Sequence, residues 1–324
     1  MDDRAERERR NAFLVTGAIV LVVLVFAASS FWPDGDPAPK EATPSPTVEQ
    51  ELPPQPDIYV YDLKSKQGIR LTDYSGPDAY PAWSPDGSKI AFARFSEEDL
   101  HDIFVVDADG GDPVRLVGGP TDDFAPSWSP DGEEIVFMSD RSTFADLFVV
   151  DSGTGALRVK RIGESPTGDE WPEWSPVADR IAYVEERPDS DETRILTVRS
   201  DGSDVRIVAV LDGCCEVTRL DWSPNGLFLA FTWEGDVWVA DARGGSLIRR
   251  LTYDPVEEGY ASWSPDGNQL IFQKHRPDED VVDIYSIRFR GLKERELIRT
   301  PWNSANPDWS PDGRYIAFES VTGY

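Results

Sequence analysis

The side chains best able to hold a ligand in this 324-residue chain recur at near-even spacing, each just upstream of a tryptophan in a repeated Trp-Ser-Pro segment. Five residues before those tryptophans stand Asp78, Asp123, Asp169, Val217, Glu258 and Ser304. Three before stand Tyr80, Ala125, Trp171, Arg219, Tyr260 and Asn306. Carboxylates at one level and large aromatics at the next are suited to a cation. Oxygen ligands from Asp78, Asp123 and Asp169 suit Ca²⁺. The ammonium or guanidinium groups of a basic peptide could pair with the same carboxylates and stack on Tyr80, Trp171 and Tyr260. No other cofactor is expected.

Enzymatic chemistry has less support. The chain contains no Gly-x-Ser-x-Gly elbow, His-Glu-x-x-His pair, phosphate-cradling glycine loop or Cys-x-x-Cys. Its two histidines, His101 and His275, belong to different repeats and are expected in loops at the ligand end, beside Asp102 and near Asp278. A metal-dependent lyase acting on an acidic polysaccharide would want several clustered histidines. The two cysteines, Cys214 and Cys215, are adjacent. They could close only a strained vicinal disulfide, since neighbouring Cα atoms lie about 3.8 Å apart, below the usual bridging range. The alternative is a pair of thiols in a surface turn.

The elements that must position these residues follow from the repeat itself. Trp83, Trp128, Trp174, Trp222, Trp263 and Trp309 are separated by 45, 46, 48, 41 and 46 residues, a period that signals a repeat architecture. In the first copy, Trp83 ends a strand, Ser84-Pro85-Asp86-Gly87 suits a type I turn, and Ile90-Ala91-Phe92 opens the next strand. A second apolar burst follows, as in Asp102-Ile103-Phe104-Val105-Val106-Asp107, and then a short strand such as Val114-Arg115-Leu116. Four such strands make one propeller blade. Asp57-Ile58-Tyr59-Val60-Tyr61-Asp62 and Arg70-Leu71-Thr72 precede the first Trp-Ser-Pro copy, whereas the sixth copy is followed only by Tyr315-Ile316-Ala317-Phe318-Glu319. These half blades are complementary. The expected fold is all-β, a six-bladed β-propeller over residues 57–324 whose last blade is shared by the two ends, leaving no open sheet edge. With the strand ending in Trp-Ser-Pro innermost, the tryptophans are core, and the residues upstream of them approach the mouth of a central channel.

The Trp-Ser-Pro-Asp-Gly turn, the Ile-Ala-Phe strand, the Asp-led apolar strand and the Arg-Leu-Thr strand together resemble the TolB-type β-propeller repeat over residues 57–324. The third copy departs from the pattern with Val177-Ala178-Asp179, and the fourth has Asn225 in place of Asp. The resemblance implies a channel mouth that holds partner proteins or threaded peptides. TolB itself carries a separate α/β domain ahead of its propeller, where this chain has an apolar segment and a linker. Similar propellers cap prolyl-oligopeptidase-type hydrolases or act as oligogalacturonate lyases. The chain ends with its closing blade, so no catalytic domain is expected to follow.

Residues 1–11 carry Arg4, Arg7, Arg9 and Arg10 and read as a cytoplasmic segment. Residues 12–32 contain no charge and can cross roughly 30 Å of hydrocarbon as a helix. The basic residues ahead of this span put the N-terminus inside, so the propeller is expected in the periplasm or on the cell-wall side. A signal-anchor is the expectation. Ala27, Ala28 and Ser29 also offer a signal peptidase small residues, so a cleaved secretory signal is the alternative. Residues 33–56, with eight prolines among acidic and hydroxyl residues, form a spacer reaching roughly 70 Å as polyproline II. A net charge of −28 disfavours nucleic acid and anionic membrane surfaces and favours basic partners. The expected function is therefore a membrane-tethered, monomeric, non-enzymatic module of the cell envelope. Its ligand, a protein or basic peptide, would occupy a mouth formed by Asp78, Tyr80, Asp123, Asp169, Trp171, Arg219, Glu258 and Tyr260. The alternatives are a metal-dependent carbohydrate-active enzyme and a structural envelope protein.

Overall fold

The computed structural model describes residues 55–321 except 96–99, 143, 155–156, 163–167, 188–191, 213–216, 246–247, 254, 278 and 280. The expected membrane span, the linker up to residue 54, and Cys214 and Cys215 lie outside the described residues. Among the described residues twenty-four strands form six four-stranded antiparallel sheets, which are the six blades of a propeller. The innermost strands are Asp78–Trp83, Asp123–Trp128, Asp169–Trp174, Thr218–Trp222, Glu258–Trp263 and Ser304–Trp309, in blades 1 to 6. Blade 6 closes the ring with both ends of the propeller. Its inner pair, Ser304–Trp309 and Tyr315–Ser320, is completed by Asp57–Asp62 and Gln67–Arg70. Asp57 pairs with Ser320 and Asp62 with Tyr315 at the two ends of an unbroken register.

Each blade is sandwiched between two others, so its middle strands are apolar on both faces. In blade 1, Ile90, Ala91, Phe92 and Ala93 are all fully buried. The core lies between blades. Ala91, Ile103 and Val105 of blade 1 pack with Trp128, Ile135, Phe137 and Phe148 of blade 2. Across the closure, Ile58, Val60 and Ala317 meet Trp83, Ile90, Phe92 and Val106.

The Trp-Ser-Pro-Asp-Gly segment is a hydrogen-bonded turn. Gly87 N–H donates to the Ser84 carbonyl at 2.9 Å, and Gly87 takes φ +72°, the left-handed region in which glycine costs nothing. Ser84 Oγ donates to Asp86 Oδ1 at 2.8 Å and accepts Lys89 N–H at 2.9 Å, so serine and aspartate tie both strands to the turn. In the fourth copy Asn225 Oδ1 takes the aspartate's place, accepting from Ser223 Oγ at 2.8 Å and Leu227 N–H at 3.0 Å. The third copy lacks an acceptor there, and its Asp179 instead accepts Ser200 N–H at 3.1 Å. Two of the six repeated tryptophans bind blade to blade through the indole N–H. Trp128 Nε1–H donates to Ala82 O and Trp222 Nε1–H to Glu173 O, each at 3.0 Å, in the preceding blade.

Candidate functional site at the channel mouth

All six inner strands are interrupted at the residue three before the tryptophan. Tyr80, Ala125, Trp171, Arg219, Tyr260 and Asn306 have φ between +37° and +55°. At each one the pairing to the second strand slips by a residue, as between Ala79 and Ala82 or between Glu170 and Glu173. Left-handed backbone costs a non-glycine residue roughly 1–2 kcal/mol. Only Asn306 is of a type that tolerates it readily. Proline follows in four of the six strands, at Pro81, Pro126, Pro172 and Pro307, which suits a bulge that needs no N–H there. Left-handed non-glycine residues repeated at one level of all six inner strands make that level a candidate site.

The bulge directs these side chains to the channel axis, and the aromatic ones come from alternate blades. Tyr80, Trp171 and Tyr260, in blades 1, 3 and 5, form a triangle. Their ring centroids are 5.7, 5.8 and 6.5 Å apart, with Tyr80 and Tyr260 the widest pair. Phe124 joins them at 6.1 Å from Tyr80 and 6.4 Å from Trp171, and His101 adjoins Phe124 at 6.1 Å. These are edge and tilted contacts of the kind aromatic pairs prefer. Trp171 is only 8% exposed. Beside the triangle lies a cavity of about 20 Å³ bordered by Tyr80, Ala125, Trp171, Glu173 and Arg219, room for about one water.

The carboxylates expected to form a ligand-binding ring do not gather there. Asp78, Asp123, Asp169 and Glu258 are at most 3% exposed, and three of them are paired within their own blades. Arg94 donates to Asp78 from Nε at 2.7 Å and from Nη2 at 2.8 Å. Arg141 donates to Asp123 at 2.7 Å, and Lys274 lies 2.9 Å from Glu258. Asp169 pairs in register with Glu185 on the adjacent strand. Burial outweighs these partners at Asp123, whose carboxyl is raised, and at Glu258, which is pushed up to about 7. The bulge explains the difference from expectation. Asp78 lies opposite Arg94 and Trp83 opposite Ile90, so the two share a sheet face although they stand an odd number of positions apart in sequence. Among the described residues no three His, Cys, Asp or Glu side chains are grouped to hold a metal ion, which removes the Asp78, Asp123 and Asp169 calcium set. His101 and His275 do not meet in a metal site either. Both lie in strands rather than loops, and His101 Nδ1 contacts Asp122 Oδ1 at 2.8 Å.

Other carboxylates, which the spacing argument missed, do face the channel. In four of the six repeats the side chain of the residue before the tryptophan latches the next blade. Asp308 Oδ2 accepts Trp83 N–H at 2.8 Å, Ser127 Oγ accepts Trp174 N–H at 3.0 Å, and Asp221 Oδ2 accepts Trp263 N–H. Arg219 reaches across to Asp308 Oδ1 at 2.9 Å and the Pro307 carbonyl at 3.2 Å. Burial and mutual repulsion raise the carboxyls of this group. Asp221 is pushed up to about 7, Glu173 lies well above the usual range, and Asp308 is raised despite Arg219. Glu319, on the C-terminal strand, accepts hydrogen bonds from Tyr80 N–H and the Asn306 side chain, yet burial holds it at about 7. It is the only carboxylate at its place in the repeat; the equivalents are Ala93, Met138, Val184, Thr232 and Gln273. Comparing the copies strand by strand exposes it, whereas the upstream spacing does not.

This architecture defines a TolB-type propeller, and the comparisons with known proteins agree. The TolB β-propeller domain model (PD40) matches residues 52–232, and the chain belongs to that family. Among solved structures, the putative TolB of Agrobacterium tumefaciens superposes with a TM-score of 0.65 at 17% identity, covering 82% of this chain and 98% of that one. TolB of Acinetobacter baumannii gives 0.57 at 18%, covering 82% and 76%. In sequence, the uncharacterised protein Atu1656 of Agrobacterium fabrum is 30% identical over 103 residues, 30% of this chain and 34% of that protein. The uncharacterised peptidase YuxL of Bacillus subtilis is 26% identical over 110 residues, 31% of this chain but only 16% of that protein. The matched stretch thus spans well under half the length of these two relatives.

Proposed function

We propose that the protein is a polypeptide-binding or scaffolding module of the cell envelope, tethered to the membrane through residues 12–32 with its propeller outside the cytoplasm. The observation that carries the reading is the Tyr80, Trp171 and Tyr260 triangle. Three alternate blades bring large rings to one point on the axis through strained backbone, and such a cluster offers an extended chain apolar and cation–π contacts. The acidic balance of the chain, −28 overall, steers basic segments towards it. Membership of the TolB propeller family is consistent with a protein ligand.

The test is an array of twelve-residue peptides probed with the wild-type protein and with a Tyr80→Ala, Tyr260→Ala double variant. Selective binding that falls at least tenfold in the variant supports the reading. Binding that is indifferent to both rings removes it.

A further inference from the structure

The exposed apolar side chains of the propeller are sorted by end. Among the described residues, the large hydrophobics left in solvent include four aromatics: Tyr74 (42% exposed), Phe144 (45%), Tyr253 (63%) and Trp302 (44%). All four lie in loops at the mouth end. Tyr74, Tyr253 and Trp302 are in the connections entering the inner strands of blades 1, 5 and 6, and Phe144 links the second and third strands of blade 2. The exposed aliphatics, such as Ile69, Val114 and Ile207, lie on outermost strands or, like Val177 and Leu227, at the opposite end. Two of the rings are held from behind. The Arg94 guanidinium lies 4.4 Å from the Tyr74 centroid and that of Arg250 4.9 Å from Tyr253, whose hydroxyl donates to the Arg250 carbonyl at 3.0 Å.

Charge is sorted in the same way. The described mouth-end loops carry Asp73, Asp122, Asp140, Glu234, Glu257 and Glu279. Their only basic residues are Arg141, committed to Asp123, and Arg299, committed to Glu279 and Glu296. Opposite-end turns mix both signs, with Lys64, Lys66, Arg199 and Arg243 among their carboxylates. Aromatic rings standing where acidic loop residues outnumber basic ones, six to two among the described residues, favour a cationic, arginine- or lysine-bearing polypeptide over a neutral glycan or an anionic surface.

We infer that Tyr74, Phe144, Tyr253 and Trp302 form an aromatic crown that docks a basic polypeptide segment across the mouth end, outside the channel triangle. The inference rests on the reading of this end as a polypeptide site and extends it beyond the axis. Each exposed ring contributes about two- to fivefold in affinity through cation–π contact, so the four together contribute well over tenfold.

The test measures the affinity of a twelve-residue peptide of alternating arginine and glycine by fluorescence anisotropy at 0.15 M salt. Its glutamate counterpart and chitohexaose serve as controls. The variants are a quadruple Tyr74→Ser, Phe144→Ser, Tyr253→Ser, Trp302→Ser; a milder Phe144→Ser, Trp302→Ser; and the channel variant Tyr80→Ala, Tyr260→Ala. The inference predicts arginine-peptide binding that weakens at least tenfold in the quadruple and about fourfold or more in the double, with unfolding midpoints little changed. Loss in the channel variant alone overturns the crown and leaves the proposed function standing. Loss in the crown variants alone upholds the crown and counts against the channel triangle. No measurable binding of the arginine peptide by wild type, or chitohexaose binding that the crown substitutions abolish, overturns the inference.

Discussion

Glu319→Gln is a sharp probe of the channel's electrostatics. The Glu319 carboxyl is held at about 7, against 4.5 for an ordinary glutamate, so the folded state keeps a proton that the unfolded chain releases. The sign follows from linkage. A carboxyl whose folded value is raised favours the folded state at low pH, and that advantage is lost as pH climbs from the unfolded value through the folded one. Integrated between pH 5 and pH 8, the Glu319 shift amounts to about 2.5 kcal/mol of lost stability. Glutamine keeps the shape and still accepts Tyr80 N–H, but carries no charge to bury. Urea unfolding of wild type and Glu319→Gln at both pH values isolates this group, because Asp221 and Glu258, also at about 7, titrate in both proteins. The expectation is that the variant is more stable than wild type at pH 8 by about 2 kcal/mol relative to their difference at pH 5. Equal pH slopes for the two proteins would refute the reasoning and mean that Glu319 is hydrated in solution.

Further outcomes follow from the same geometry. Arg94→Ala leaves Asp78 buried without its bidentate partner and should cost about 3–5 kcal/mol by chemical denaturation, whereas a ligand-ring role for Asp78 predicts far less. Ala125→Gly relieves a φ of +51° and should stabilise the fold by up to about 1 kcal/mol; a measured destabilisation would argue against strain at this level of the ring. Asp308→Ala removes the acceptor of Trp83 N–H and the partner of Arg219 and should cost about 3 kcal/mol or more, read as a lowered denaturant midpoint.

The blades were legible in the sequence because each copy is locally self-consistent. The tryptophan spacing, the Ser-Pro-Asp-Gly turn and the split half blades led to a closure in which Asp57–Asp62 pairs with Tyr315–Ser320. The residues three before each tryptophan were also legible, as the positions where otherwise similar repeats disagree. Side-chain direction at Asp78, Asp123, Asp169 and Glu258 was not. Strand alternation would put them on the same side as Tyr80 and its equivalents, but a left-handed residue in every inner strand shifts the alternation. That shift has no simple residue signature, since tyrosine, alanine, tryptophan and arginine all occupy it. Glu319, Asp221 and Asp308 escaped for another reason: they matter through neighbours in other blades, and linear spacing carries no record of which blades face one another across the axis.

The central claim, that a polypeptide is held at the aromatic mouth, is tested most directly by site-specific photo-crosslinking in the producing cell. Benzoylphenylalanine is placed at Tyr260, in the triangle, or at Asn268, in the exposed turn at the opposite end of the same blade. The account predicts a discrete polypeptide adduct from Tyr260 and none from Asn268. An adduct from Asn268 alone, or none from Tyr260, would contradict it.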